Sequence, residues 1–308
     1  MNKSKHLLFW PLLILALAII QYLTGNFPYS FFRFPLNVVV GLLWIYGIWI
    51  SAKDVNISKK VNLGEDIISF LMSGKTTFVT LLLLVAGSLI IGLFPQMSEY
   101  DASQMNGLTG KLGFYNFMSS WIFVGIIVVL LTHLGLITVR VILHRKKMRW
   151  RFILNHAGLW IALFAGFMGS SDTISMRMPV FFGNENNEAY TMEGEKRYLK
   201  YNISLNNFDA EYYENGSPKN YEAEILISDN EGKKITKTTL KVNHPYSYNW
   251  GEDIYLSGYD MKSSKPQYCI LQIVSHPWKY IQLIGIVMTL LGGIGMFVYG
   301  PQKRKTAQ

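Results

Sequence analysis

The chain has 308 residues, of which 50% are hydrophobic and only 16% are charged, and its formal net charge is +9. A soluble chain carries about 25% charged residues, so this composition excludes a protein that is folded entirely in water. A basic chain can also be a nucleic-acid-binding protein, but a net charge that is concentrated beside apolar runs argues against that class.

Long apolar runs predict six membrane-spanning helices. A helix needs about 20 residues to cross the hydrocarbon core of a bilayer, and each run carries almost no Asp, Glu, Lys or Arg. The runs are 7–23, 34–52, 77–94, 118–143, 152–170 and 279–300. The first run follows Lys3 and Lys5 as a signal peptide would, but no small-x-small cleavage site follows it, so we expect an uncleaved anchor in the lipid bilayer.

A polar segment, 54–76, separates the second run from the third. The stretch Leu63–Leu71 predicts a short interfacial helix, with Glu65 and Asp66 on its wet side. The residues Ser73-Gly74-Lys75-Thr76 resemble the end of a phosphate-binding loop, but that loop needs a glycine at position 69, which is serine. We therefore do not expect nucleotide binding.

The short connections predict the orientation, because Lys and Arg accumulate on the cytoplasmic side. With the N-terminus inside, the cytoplasmic segments hold 14 Lys and Arg and the outer loops hold 2. The cytoplasmic segments are 1–6, 53–76, 144–151 and 301–308, and the outer loops are 24–33 and 95–117. This distribution predicts that both termini are cytoplasmic and that the long region 171–278 is extracytoplasmic.

The region 171–278 changes to alternating polar and apolar residues, which is typical of β-strands. The candidate strands are 200–213, 221–229, 233–243, 252–259 and 267–275. They predict an antiparallel all-β domain, a sandwich or a small barrel, inserted between the fifth and sixth membrane helices. Its 15 acidic and 11 basic residues give a net charge of −4, so nucleic acid is not an expected partner.

The predicted organisation therefore has four parts. These are 1–69, two membrane helices and a cytoplasmic loop; 70–170, membrane helices three to five; 171–278, the β domain; and 279–308, the last helix and a basic tail. Cys269 is the only cysteine, so the chain cannot be a dithiol oxidoreductase or a c-type cytochrome, both of which need cysteine pairs. We expect Cys269 to be a buried strand residue.

Two histidines, His133 and His156, lie within predicted spans. Ionisable groups in hydrocarbon are costly and usually face a partner, a cavity or a ligand, and a neutral imidazole is a good axial ligand for haem iron. The structural alternative is a neutral histidine bonded to a neighbouring carbonyl or hydroxyl, for instance that of Thr132 or Asn155. The residues alone leave both alternatives open, with the structural one favoured for His133.

Several motifs follow one another along the chain: Phe70–Thr77, Tyr115-Asn116 with Trp121, Leu154–Leu159, Phe208–Tyr212 with Asn215–Lys219, Val242–Pro245 and Ile254–Tyr259. In this order they resemble the ResB/CcsB family of membrane subunits for cytochrome c maturation. The two N-terminal spans lie outside the resemblance.

The resemblance implies a multi-pass protein of the bacterial inner membrane that works with a CcsA-type membrane subunit. In such a complex haem b crosses the membrane and is presented to apocytochrome c, so the chain would at most be a subunit of a holocytochrome c synthase. By position, the resemblance implies that His156 is a haem axial ligand, whereas His133 has no family counterpart. The periplasmic β domain would dock a partner through Tyr246, Tyr248 and Trp250.

Two other classes remain open. A transporter or permease subunit could use His133 and His156 as a proton relay, but it should show broken helices or inverted repeats, and neither is clear in the sequence. A non-catalytic receptor or scaffold would use the β domain to sense a ligand, but it should carry a cytoplasmic output domain, and the inner segments are short.

Overall fold

The computed structural model describes residues 3–54, 63–144, 150–229, 235–261, 263 and 266–300. They divide into a helical unit, Met1–Ser171 with Ile281–Gln308, and a β unit, Asp172–Tyr280. The helices are α1 Lys3–Thr24, α2 Leu36–Asp54, α3 Leu63–Leu71, α4 Gly74–Leu93, α5 Glu99–Ser103, α6 Gly107–Lys111, α7 Trp121–His144, α8 Trp150–Ser170 and α9 Lys279–Tyr299, with a 3-10 helix at Phe114–Ser119.

Five of these helices are long and apolar enough to cross a membrane. They are α2, α4, α7, α8 and α9, and they confirm five of the six predicted spans as helices. The first predicted span lies in α1, where the apolar helix among the described residues is the shorter stretch Leu8–Thr24. A sixth crossing therefore stays a prediction.

The described part of the segment between α2 and α4 contains one short helix and the start of α4. The predicted short helix is confirmed as α3, Leu63–Leu71; the side chains of Glu65 and Asp66 lie outside the described residues. The Ser73 hydroxyl caps α4 by accepting a hydrogen bond from the Thr76 amide at 3.2 Å. The residues that resemble a phosphate loop thus include a helix N-cap, which satisfies one of the amides that every helix start leaves without an intrahelical partner.

Helix α7 is the centre of the helical unit, since it packs against α1, α2, α4 and α8. Its side chains Ile126, Leu131 and Leu136 are almost fully buried. Outer helices instead expose large apolar residues such as Leu89 and Phe297, as expected for surfaces that face lipid rather than water.

The β unit is one antiparallel sheet of eight strands in the order β5-β4-β3-β2-β1-β8-β7-β6. The strands are β1 Ile174–Phe181, β2 Asn186–Thr191, β3 Lys196–Tyr212, β4 Pro218–Asp229, β5 Ile235–Lys241, β6 Tyr246–Asn249, β7 Glu252–Tyr259 and β8 Tyr268–Ser275. All five predicted strands are confirmed, and β1, β2 and β6 are additional.

The sheet curls so that its two ends face each other across one core. Tyr259 of β7 lies 4.9 Å from the Phe208 ring of β3 and 5.0 Å from the Tyr221 ring of β4. The Tyr201 hydroxyl of β3 donates a 2.8 Å hydrogen bond to Glu252 at the start of β7. Burial, and then the Glu252 charge, raise the pKa of Tyr201. The predicted stacking or closure therefore takes the form of one continuous sheet; among the described residues no ladder joins β5 to β6.

The β unit is inserted between two neighbouring helices of the helical unit. Helix α8 ends at Ser170 and β1 begins at Ile174, while β8 ends at Ser275 and α9 begins at Lys279. In chain order the β unit therefore lies between α8 and α9, the helices of the last two predicted spans.

Candidate functional site

His156 lies on α8, six residues after the helix begins at Trp150, which is about 9 Å along the axis. Its Nδ1 is 3.1 Å from the Phe152 carbonyl oxygen, one turn earlier. A carbonyl can only accept, so Nδ1 carries the proton and Nε2 carries the lone pair. This is the tautomer that a metal-binding histidine has when its second nitrogen donates to a carbonyl.

Aromatic side chains hold the His156 ring in place. The ring stacks on Phe152 with centroids 3.7 Å apart and an interplanar angle of 21°. One turn later, Trp160 stacks on Phe164 at 4.6 Å. Residues four apart share a helix face, so these four side chains form an aromatic stripe, defined as Phe152, His156, Trp160 and Phe164.

The aromatic stripe is anchored to the neighbouring helices. Trp160 donates its indole N–H to the Leu131 carbonyl of α7 at 2.9 Å, and Phe164 lies 6.0 Å from the Trp44 ring of α2. The stripe therefore faces α7 and α2, and Phe152 and His156 form its end nearest to the start of α8.

The side of α8 next to the stripe packs so closely on α9 that the two backbones are in contact. A Cβ at Gly158 would lie 2.5 Å from the Thr289 amide nitrogen and 2.7 Å from the Gly285 carbonyl oxygen. A Cβ at Gly292 would lie 2.5 Å from the Asn155 nitrogen. Successive helix residues are about 100° apart, so with Asn155 against α9 the rotation of α8 is fixed and His156 points away from α9.

His133 has a different environment. It is 3% exposed, its Nδ1 donates to the Leu71 carbonyl at the end of α3, and its Nε2 accepts from the Thr77 hydroxyl of α4 at 2.8 Å. Both ring nitrogens are thus engaged, and the side chain joins α7 to the junction between α3 and α4. The role of His133 as a haem ligand stays a prediction, which would require one of these bonds to open.

The sequence suggested a neighbouring carbonyl or hydroxyl as the partner of each histidine, with Thr132 and Asn155 as examples. His156 does bond to a neighbouring carbonyl, that of Phe152, whereas His133 bonds to residues of α3 and α4. The Thr132 hydroxyl donates to Val128 and accepts from the Trp44 indole at 3.0 Å. Asn155 contacts the Thr289 carbonyl of α9. The two histidines therefore bond to different helices.

The donor chemistry of His156 fits haem iron, because the neutral imidazole whose Nδ1–H is held by the Phe152 carbonyl has its lone pair on Nε2. Within the described residues there is no cluster of three or more His, Cys, Asp or Glu that could hold another metal ion. The nearby Arg151 is engaged at the end of α9, where its guanidinium donates to the Gly300 carbonyl.

The β unit presents fewer free aromatic side chains than the sequence suggested. Tyr248 packs on Tyr201 with ring centroids 4.2 Å apart, and Tyr246 also packs against the core. Trp250 is 73% exposed and lies 4.2 Å from the Tyr280 ring. Of the three predicted docking residues, Trp250 is the one whose side chain is open to a partner.

The long apolar helices and the β sheet between two of them are typical of a multi-pass membrane protein with a β domain. Residues 146–268, which include α8, His156 and most of the β unit, match the model of the ResB-like family. This match confirms the resemblance to the ResB family that the motifs within these residues predicted.

The chain is also similar to a solved structure. "Cytochrome c Heme Lyase CcmF" is 12% identical with a TM-score of 0.36, and the alignment covers 84% of this chain and 39% of that chain. The chain thus spans about two fifths of the length of that protein. No curated protein matches the chain.

Proposed function

We propose that the chain is a subunit of a complex that carries haem across the bacterial cytoplasmic membrane and presents it for attachment to apocytochrome c. The observation that carries the proposal is that the ResB-like match includes His156, whose Nδ1–H is held by the Phe152 carbonyl. An imidazole fixed in this tautomer inside an apolar helix has the chemistry of a haem axial ligand.

The proposed orientation places the His156 end of α8 towards the cytoplasm. The segment 144–151, which leads into α8, holds five Lys and Arg, and such clusters stay on the cytoplasmic side. The other end of α8 leads into β1, so the β unit lies outside. With both termini inside, His156 receives haem b near the inner leaflet and the β unit meets apocytochrome c.

Each part of the site has its own task in this proposal. His156 supplies the axial nitrogen, Phe152 orients its ring, and the contact of Gly158 with α9 fixes the direction of α8. Bound haem supplies the vinyl groups that form thioethers with apocytochrome c. The ligation itself is assigned to a CcsA-type partner, and Trp250 of the β unit is the proposed docking side chain for a partner.

The test is the absorption spectrum of the chain purified together with a CcsA-type partner. His156→Ala should lose most of the haem band, because its methyl group cannot ligate iron. His156→Gly should lose the band as well, and added imidazole should restore both the band and cytochrome c maturation, because the free ligand fits the space of the missing side chain.

His244→Ala is the matched control, since His244 is an exposed histidine of the β unit. It should keep the full haem band. An unchanged band in His156→Ala, with maturation that does not respond to imidazole in His156→Gly, would contradict the proposal.

A further inference from the structure

A cavity of about 500 Å³ lies at the end of the helical unit where α1 ends and α7 begins. Gln21 and Tyr22 of α1, Asn26 of the following turn, and Glu99 and Lys111 of the connection between α4 and α7 are among its lining residues. It lies at the opposite end of α7 from the connection to α8, and so away from the His156 end of that helix.

The wall of the cavity contains a buried polar side chain that is held by hydrogen bonds. Gln21 is 2% exposed; its Nε2 donates to Asn26 Oδ1 at 2.9 Å and its Oε1 accepts from the Trp121 amide at 2.9 Å. Gly113 has φ +75°, and a Cβ there would lie 2.8 Å from the Gln21 amide nitrogen. A Cβ at Gly110 would overlap the Met105 carbonyl. Glycine at both positions therefore allows the close packing of the cavity wall. At Gly113 the positive φ also favours glycine, which adopts it without steric cost.

The cavity carries one side chain of each charge. The Lys111 ammonium is 3.3 Å from the Tyr22 hydroxyl and 4.8 Å from the centre of its ring. No ion pair joins Glu99 to Lys111 in the part of the chain that the structure describes. The remaining polar side chains of the lining are uncharged: Thr24, Asn26, Ser30 and Ser103. This set is complementary to a ligand that bears an anionic group and an ammonium group together.

Aromatic rings beside the cavity place it at the depth of lipid headgroups. Phe27 lies 5.0 Å from the Trp121 ring, and Phe94 lies 5.7 Å from the Tyr115 ring. Such belts mark the interface between hydrocarbon and water. Leu23, next to the lining residue Tyr22, is 74% exposed, which suits a side chain that meets acyl chains.

We propose that this cavity binds a phosphoethanolamine group, with Lys111 on the phosphate and Glu99 on the ammonium. The depth of the cavity makes a phospholipid headgroup the source. A primary ammonium can donate three hydrogen bonds to Glu99 and the neutral oxygens of the lining. Choline has no N–H to donate, and phosphatidylglycerol has no cation for Glu99. The cavity thus selects phosphatidylethanolamine over both, independently of the haem proposal.

The test uses the full chain in nanodiscs with equal amounts of phosphatidylethanolamine, phosphatidylcholine and phosphatidylglycerol, and native mass spectrometry of the lipids retained after extraction. Phosphatidylethanolamine should be enriched about tenfold over the other two. Glu99→Gln should remove its preference over phosphatidylcholine, and Lys111→Ala should lower retention of the lipid about tenfold. A separate experiment adds free phosphoethanolamine as a competitor. If it displaces phosphatidylethanolamine only at a much higher concentration than that of the lipid, the site binds the lipid; if it displaces the lipid at an equal concentration, the site binds the soluble group.

Two variants separate binding from folding. Lys111→Arg keeps the charge and should retain the lipid, so a loss in Lys111→Ala alone is not caused by misfolding. Lys75→Ala removes an exposed lysine of the same unit outside the cavity and should retain the lipid in full. Equal retention of the three lipids by the unmodified chain, or the same loss in Lys75→Ala as in Lys111→Ala, would overturn the proposal.

Discussion

The two units place the same kinds of apolar side chain in opposite positions. In the β unit, Ile203, Ile225 and Leu271 are at most 1% exposed, whereas Leu89 and Leu290 of the helical unit are 60% exposed. The β unit is thus stabilised as a soluble protein is, by removing apolar area from water. Lipid solvates leucine as well as another helix does, so the helical unit depends on close packing and hydrogen bonds instead.

The largest expected effect is a cavity in the core of the β unit. Leu271→Ala should lower the free energy of unfolding of this unit by about 3 kcal/mol, because the side chain is fully buried and its removal leaves a void. Leu290→Ala, on a lipid-facing position of α9, should change stability by less than about 0.5 kcal/mol. The Leu→Ala substitution then has a large effect in the core of the β unit and a small one at a lipid-facing position.

Cys269 provides the readout for this comparison. It is the only cysteine of the chain, it is fully buried in β8 as the sequence predicted, and burial raises the pKa of its thiol to about 12. Iodoacetamide reacts with the thiolate, so at pH 8 labelling in increasing urea reports the unfolded β unit. Equal labelling midpoints for Leu271→Ala and Leu290→Ala would show that this description of the two units is wrong.

The second effect tests the packing of α8 on α9. Gly158→Ala should lower the stability of the helical unit by about 2 kcal/mol, because its methyl group would overlap the Thr289 backbone. Gly293→Ala is the matched control, since its nearest neighbour is the Asn155 side-chain nitrogen at 4.0 Å; there alanine should be neutral or stabilising by up to about 1 kcal/mol. The helical circular dichroism signal, followed on heating in detergent, measures both.

If Gly158→Ala and Gly293→Ala melt at the same temperature, the close approach of α8 and α9 does not stabilise the unit. The direction of His156 would then need another cause, because that contact is what fixes the rotation of α8.

Much of the fold could be predicted from patterns that act locally. Apolar runs gave the positions of α2, α4, α7, α8 and α9, since length and hydropathy are properties of a single segment. The missed strands show the limit. The strand β2 reads Asn-Asn-Glu-Ala-Tyr-Thr and buries only Ala189, and β6 has four residues. Both exist through pairing with β3 or β7, which no local pattern reveals.

The sequence indicated candidate residues, whose role stays a prediction, but not their contacts. His156 stands out as an imidazole in an apolar run, and its partner, the Phe152 carbonyl, is one helical turn away. The partners of His133 lie 56 and 62 residues away, at Thr77 and Leu71. The packing of α7 against α3 and α4 creates those bonds, so a sequence without that packing could suggest only neighbours such as Thr132.

The smallest expected effect concerns that His133 bond. Thr77→Val replaces the hydroxyl by a methyl group of similar size, so it removes the bond to Nε2 and a longer, 3.4 Å contact with the Ser73 carbonyl within the same turn. Hydrogen bonds between membrane helices average about 0.6 kcal/mol, and we expect a loss of about 1 kcal/mol in the stability of the helical unit, measured by the same heating experiment. Ser88→Ala is the control, because the Ser88 hydroxyl bonds within its own helix, to the Leu84 carbonyl.

The haem band of Thr77→Val, measured in the complex with a CcsA-type partner, decides which of the two histidines binds iron. If His133 joins helices and His156 binds iron, Thr77→Val should leave the band unchanged while it lowers the melting temperature slightly. A band lost in Thr77→Val at unchanged stability would mean that Thr77 orients an iron ligand, and His133 would then replace His156 as the proposed axial ligand of the chain.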